Sequence, residues 1–244
     1  MKIISIVNHK GGVGKTTTAA NLACALAENY KILLVDFDPQ AALTTSLKII
    51  PDEKNVYPAL LDSVSAKDCI VETKIENLYI IPSTLDLAAA EPQLIGQIAF
   101  ERKLKQLLQQ LTDFDYIIVD SPPSLGVLTI NAIVAADLVI VPLQCEFLAM
   151  KALTHLNKIV EKAKVVNPDL KMRVLFTMFD KRSIHSKEII EETKKFFETF
   201  ETIITKTIKF SYATVAGVPL VKFYQNSEQA EQYKNLSKEV VKQL

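Results

Sequence analysis

The 244-residue chain has no net charge, three scattered cysteines and no apolar run near the ~20 residues that a membrane-crossing helix needs. Each absence excludes a class. A balance of 28 basic and 28 acidic residues argues against a uniformly basic nucleic-acid binder. Cys24, Cys69 and Cys145 form no CxxC or zinc-site spacing, which excludes a disulfide scaffold and points to reduced cytosolic thiols. Cys24 sits among alanines and leucines and reads as a small core residue. There is no internal repeat, low-complexity segment or linker, so one α/β domain over 1–244 is expected. Met1-Lys2-Ile3-Ile4 runs straight into a predicted strand, with no room for a signal peptide. A hydrophobic content of 49% excludes a disordered chain.

What is present alternates between two periods. Short apolar runs at 3–7, 32–35, 78–81, 116–119, 138–141 and 172–177 read as strands buried on both faces. Helix-like runs intervene at 17–28, 98–111, 147–164 and 186–199, and a last one covers 227–244. This is the pattern of a doubly wound, mostly parallel sheet flanked by helices on both faces, with ligands at the carboxyl ends of the strands. The segment 48–76 is irregular and polar and receives no assignment. Charge is uneven: residues 1–150 carry a net −6 and residues 151–244 a net +6, a difference that can hold a basic patch.

Everything is organised around Lys10-Gly11-Gly12-Val13-Gly14-Lys15-Thr16-Thr17, between the first strand and the first helix. Strand, glycine-rich turn and helix form the setting of a phosphate-binding loop. Glycines let backbone N–H groups turn inward, and the helix adds a positive dipole end. Lys15 is placed to reach β- and γ-phosphates, and the Thr16 hydroxyl to ligate magnesium. The ordinary pattern wants glycine at position 9. His9 stands there, and an extra lysine, Lys10, opens the loop.

Two strand ends supply carboxylates. Asp36-Phe37-Asp38-Pro39-Gln40 closes the second strand, where such groups can bind magnesium-held water and orient an attacking water. The alternative is an acidic turn that caps the next helix through Asp38. Asp115-Tyr116-Ile117-Ile118-Val119-Asp120-Ser121-Pro122-Pro123 is an apolar strand with an acidic end, so Asp120 is a candidate for holding the metal through water.

The run K-G-G-V-G-K-T-T resembles the deviant Walker A motif of the ParA/MinD family of ATPases. The segments after Val35 and Val119 resemble that family's switch I and switch II. The resemblance covers residues 1 to about 233 and implies a P-loop NTPase fold binding ATP and Mg2+. It implies that Lys10 is the signature lysine, reaching across a nucleotide-sandwich homodimer to the partner's phosphates. It also implies that Asp38 serves hydrolysis, that Asp36 supports the magnesium shell, and that Gly126 and Thr129-Ile130-Asn131-Ala132 shape the dimer face. Val141-Pro142-Leu143-Gln144-Cys145-Glu146-Phe147 is similar to a P-x-Q-x-E segment of Soj-type members, read as structural or dimer-facing. Thr177 and Met178 fall where the family sets residues beside the adenine; a buried strand end is the other reading.

From Ile203 on, the chain is similar to the family's I-P-R-x-V-R-L-x-E-A-x-x-x-G-x-P-I segment, an edge that contributes to sequence-independent DNA binding. Lys206 and Lys209 keep the two basic positions, and Gly217 and Pro219 match. Thr205 replaces the proline and Tyr212 the glutamate. Lysine for arginine loses the bidentate phosphate grip, so the charge is expected to be spread over further lysines, with Lys222, Lys181, Arg182 and Lys234 as candidates. The final helix mixes Lys234, Lys238 and Lys242 with Glu228, Glu231 and Glu239. It reads as a packing helix and not a membrane anchor.

The family therefore implies a cytoplasmic, nucleoid-associated partitioning ATPase. ATP would drive a homodimer that binds DNA non-specifically, and hydrolysis stimulated by a ParB-type centromere-binding protein would release it. Three alternatives stand beside this reading. One is a MinD-like ATPase working on a membrane surface, and another is a nucleoid-tracking ATPase with a cargo other than DNA. The third is a metal-cluster carrier, which the cysteine pattern does not favour.

Overall fold

The computed structural model describes residues 1–146 and 149–244. Seven strands form one sheet: β1 (Lys2–Ile6), β2 (Ile32–Asp36), β3 (Val71–Glu72), β4 (Leu78–Ile81), β5 (Tyr116–Asp120), β6 (Leu138–Gln144) and β7 (Lys171–Thr177). Their order is β3-β4-β2-β5-β1-β6-β7, and every pairing is parallel except β3 with β4. The six strands read from sequence are all here. They were legible because β2 and β5 are buried along their whole length, which leaves continuous apolar runs. The doubly wound P-loop fold predicted from the sequence is the one observed.

The helices are α1 (Lys15–Leu26), α2 (Ala42–Ser46), α3 (Val56–Leu60), α4 (Ala90–Leu94), α5 (Lys103–Leu108), α6 (Val127–Ala135), α7 (Ala149–Ala163), α8 (Ile184–Lys194), α9 (Lys209–Ala216), α10 (Leu220–Phe223) and α11 (Glu228–Gln243). Side chains alternating along the strands feed cores on the two faces of the sheet. Ile4, Ile6, Leu34 and Ile118 pack with Leu22 and Leu26 of α1 and with Tyr233, Leu236 and Val240 of α11. Ile3, Val35, Ile117 and Val119 pack with Leu104, Leu108 and Leu128. The last helix is thus a packing element, started by Ser227, whose hydroxyl accepts from the Ala230 N–H at 3.2 Å. No described helix is long and apolar enough to cross a membrane.

Differences from the sequence reading have physical reasons. The helix α6 carries no period because eight of its nine residues are buried. The unassigned segment 48–76 holds α3, a 3-10 turn at Ala66–Cys69 and the two-residue β3. The predicted helix 98–111 is a 3-10 turn at Phe100–Arg102 followed by the shorter α5. The first two positions of the predicted 147–164 helix, Phe147 among them, lie outside the described residues.

The segment that carries Lys209 is helical from its first residue and stops at Gly217, where φ is +77°. A Cβ there would also lie 2.6 Å from the Lys48 side chain, which reaches across from the end of α2. Gly217→Ala is therefore expected to lower the Tm by about 2–4 °C, measurable by thermal denaturation.

Candidate active site

Strand register assembles the site. Ile6 pairs with Asp120 and Asp36 pairs with Asp120, so the phosphate loop and both acidic strand ends emerge at one level of the sheet. The loop needs its glycines for shape: Gly12 has φ +75° and Gly14 φ +90°. A Cβ built at Gly11 or Gly12 would meet nothing within 4 Å, which leaves an open cradle above the backbone. Gly14 is the N-cap of α1 and supplies no side-chain cap, so the first N–H groups of a 12-residue helix face the cradle unpaired by a side chain. Asn8 braces the loop's entry: its Oδ1 accepts from the Lys10 N–H at 3.0 Å, and its Nδ2 donates to the Pro142 carbonyl at 2.8 Å. Thr177 braces the exit, its hydroxyl donating to the Val13 carbonyl at 2.8 Å. His9, at the position where glycine is usual, has a buried Nδ1 without a partner among the described residues; burial holds its pKa low, and His155 and Lys15 add to the effect.

The two lysines of the loop are set differently. Lys15 is buried, its ammonium donating to the Lys10 carbonyl at 3.2 Å. Burial lowers its pKa, while Asp120 and then Asp38 pull it back up. Lys10 is half-exposed and pairs with Glu146 at the end of β6. Such an exposed pair is worth about 0–1 kcal/mol and exchanges readily.

The acidic residues also divide by role. Asp120 is buried, and among the described residues neither of its oxygens has a hydrogen-bond partner of good geometry, although the Thr16 hydroxyl stands close enough to oppose the rise in its pKa. Burial pushes its pKa well above the carboxylate range, Asp36 adds to the rise, and Thr16 and Lys15 oppose it. An orphaned buried carboxylate beside a threonine hydroxyl fits a hydrated divalent cation, since a cation offsets the desolvation that the protein leaves uncompensated. Asp36 is instead engaged by the protein. Its Oδ2 accepts from the Thr44 N–H at 2.8 Å and the Thr44 hydroxyl at 2.7 Å, and its Oδ1 from the Asp38 N–H at 3.3 Å. Burial pushes Asp36 up to about 6 despite those bonds. The Thr44 hydroxyl also accepts from the Ser83 N–H at 3.0 Å, tying β4 to the same point. Asp38 accepts from the Gln40 N–H at 2.9 Å through Oδ1, and its Oδ2 takes no protein hydrogen bond among the described residues. It does not cap α2, whose N-cap is Ala41 in the left-handed region.

Beside the loop lies a cavity of about 270 Å³ lined by Gly14, Thr17, Thr177, Met178, Thr205, Lys206, Phe210 and Tyr233 among others. The sequence candidates Thr177 and Met178 are both on its wall, and Met178 has φ +52°. So is Lys206, whose N–H donates to the Phe179 carbonyl at 3.1 Å. Lys209 and Lys222 come together elsewhere, on an open depression of about 430 Å³ with Tyr224, whose ring lies 5.6 Å from the Lys209 ammonium. The other basic candidates are paired: Lys181 with Glu228, Arg182 with Asp180 and Lys234 with Glu28. Thr44, Ser83 and Asn8 were not singled out from sequence, because their contacts join segments far apart in the chain. Glu146 carried a signal in its P-x-Q-x-E setting.

Fold and loop together put the chain in the class of P-loop nucleotide triphosphatases. Residues 1–172 match the family described as AAA domain. The chain is 44% identical over 247 residues to the sporulation initiation inhibitor protein Soj of Bacillus subtilis, covering 98% of both chains. It is 41% identical over 249 residues to the chromosome partitioning protein ParA of Myxococcus xanthus, covering 99% of this chain and 88% of that one. Among solved structures, a plasmid partition protein of Borrelia burgdorferi bound to AMPPNP superposes with a TM-score of 0.87 at 30% identity, over 100% of this chain and 99% of that one. Cobyrinic acid a,c-diamide synthase of Mycobacterium smegmatis with ADP and magnesium gives 0.86 at 35%, over 98% and 94%. The chain belongs to the ParA/Soj family of P-loop ATPases.

Proposed function

We propose that this ATPase partitions DNA, cycling between a free form and an ATP-bound homodimer on DNA. The observation that carries the reading is the pair of loop lysines in two different states. Lys15 is buried in its own site, whereas Lys10 is half-exposed on a pair weak enough to give up. A lysine so placed suits a second subunit's phosphates. The full-length likeness to chromosome-partitioning relatives supports the biological role.

ATP sits with its phosphates over Gly11, Gly12, Val13 and Gly14 and its nucleoside in the cavity beside Thr177 and Met178. The Lys15 ammonium neutralises β- and γ-phosphate oxygens. Thr16 and Asp120 would hold magnesium, which would screen phosphate charge, and Asp36 would support its shell by fixing Thr44 and the Asp38 turn. Asp38 keeps a carboxylate oxygen free to orient water toward the γ-phosphorus and to take its proton. Lys10 of each protomer leaves Glu146 for the partner's phosphates, so the dimer depends on the nucleotide. Loss of the γ-phosphate removes that tie and releases DNA, a step that a ParB-type centromere-binding protein accelerates. Nucleotide thus biases two states. Lys209 and Lys222, neither of them ion-paired among the described residues, contact DNA backbone phosphates. Lys206 combines cavity wall and DNA edge.

Binding to random-sequence duplex DNA with ATP, with ADP and without nucleotide tests the cycle. Binding confined to ATP and weakened by salt is expected; equal binding in all three states would overturn it. The double variant Lys209→Glu/Lys222→Glu should lower the salt slope by about 2 and leave ATP affinity unchanged. An unaltered slope would move the DNA site off this depression.

A further inference from the structure

The loop after Asp120, residues 121–126, runs from the metal-facing strand end to α6. Its first end is anchored: the Ser121 hydroxyl donates to the Ile6 carbonyl at 2.9 Å. Its second end has no cap of its own. Gly126 is the N-cap of α6 and offers no side chain to cap it, its own N–H donates to the Ser124 hydroxyl at 3.4 Å, and no acidic residue stands in the first turn. A helix of nine residues that opens this way leaves donors and a positive dipole end uncompensated.

Glu91 of α4, 37 residues away in sequence, fills that position. Its Oε1 accepts from the Leu128 N–H at 3.4 Å. A Cβ added at Gly126 would meet the same carboxylate first, at 2.6 Å from Oε1, 3.1 Å from Oε2 and 3.2 Å from Cδ. Gly126 has φ −77°, a backbone that any residue adopts. A side chain at 126 would therefore have to displace the Glu91 carboxylate, the far end of a flexible side chain, while the turn itself asks for no glycine. Nothing else within 4 Å stands as close to that point.

We infer that Glu91 is a positioning residue for ATP hydrolysis: it caps α6 from outside and so fixes the far end of the loop that leads from Asp120. Glu91 touches no reacting atom. It acts through α6, whose Thr129 hydroxyl donates back to the Ser124 carbonyl of the same loop at 2.9 Å. The inference rests on the reading of Asp120 given above.

The experiment is a double-mutant cycle on the full chain, read as steady-state ATP hydrolysis with thermal denaturation alongside. Glu91→Ala should lower kcat about five- to tenfold and change KM for ATP less than about twofold, since a cap acts on positioning and not on phosphate binding. Glu91→Gln, whose amide oxygen still accepts from Leu128, should stay closer to the parent. Gly126→Ala should lower kcat by a similar factor in the parent, by displacing Glu91, and by less than about twofold in Glu91→Ala. Equal cost in both backgrounds would overturn the inference, as would a Glu91→Ala that raises KM at unchanged kcat or lowers only the Tm. Should Glu91→Ala not fold, Glu91→Asp shortens the side chain, relieves the crowding and closes the same cycle. Wild-type hydrolysis in Asp120→Asn would sink the reading of Asp120 and leave the Glu91–Gly126 coupling measurable.

Discussion

Asp38→Ala is expected to bind ATP with an affinity within about threefold of the parent while its hydrolysis falls by about 100-fold, the contribution typical of a positioned base. Asp38 is buried just past the end of β2, and among the described residues only its Oδ1 is used, by the Gln40 N–H at 2.9 Å. Removing the carboxylate therefore takes away a group that acts on water and little that holds phosphate. Because hydrolysis is, in the proposed cycle, the step that dissolves the dimer, the variant should accumulate as an ATP-bound dimer, seen as a doubled mass by light scattering only when ATP is present. Asp38→Asn separates charge from shape: its amide oxygen keeps the turn to Gln40, so a loss equal to that of Asp38→Ala assigns the effect to the charge. Hydrolysis at the parent rate in either variant would remove Asp38 from the mechanism.

The contrast with Lys15→Ala makes this informative. Lys15 is buried in the loop between the Lys10 carbonyl and the acidic strand ends. Its removal should abolish ATP binding itself, so no dimer forms. Two substitutions in the same site then give opposite populations, one locked on and one locked off, as expected when nucleotide and not the chain alone selects the state.

How much of this was legible beforehand follows from where each contact lies in the chain. The phosphate loop is eight consecutive residues, and its glycines and lysines announce themselves. The carboxylates at 36, 38 and 120 end apolar runs that a parallel sheet makes conspicuous. What connects them was hidden. Thr44 joins Asp36 to Ser83, which lies 39 residues beyond Thr44 in the chain, a link that no local pattern encodes. The cap on α6 comes from α4, and α6 itself shows no period because it is buried on nearly every side. Thr205 is instructive in another way. From sequence it is only a departure from the family's proline. In the structure its N–H and hydroxyl both donate to Gln232 Oε1, at 3.0 and 3.2 Å, and its oxygen accepts from Gln229 at 2.7 Å. The substitution ties the cavity wall to α11, a gain that only tertiary contact reveals.

Asp120→Asn is expected to do two things at once: raise the Tm of the nucleotide-free protein and reduce hydrolysis by about 100-fold or more. The first follows from the cost of a carboxylate that is buried and, among the described residues, has the Thr16 hydroxyl as its nearest support but no hydrogen bond of good geometry. Replacing it by a neutral amide of the same shape relieves a desolvation penalty of about 1–3 kcal/mol, or about 2–12 °C in Tm for a chain of this size. The second follows because that strain is what a divalent cation would relieve. Sites that perform chemistry hold groups in states the fold alone does not favour. The magnesium dependence of ATP binding should shrink in parallel, measured as the ratio of affinities with magnesium and with chelator. A fall in Tm would mean that Asp120 is satisfied within the protein. A rise in Tm with hydrolysis and magnesium dependence intact would mean that the cation is held elsewhere, with Thr16 the remaining candidate. A rise in stability joined to a loss of both functions is the combination that only a metal-holding role produces.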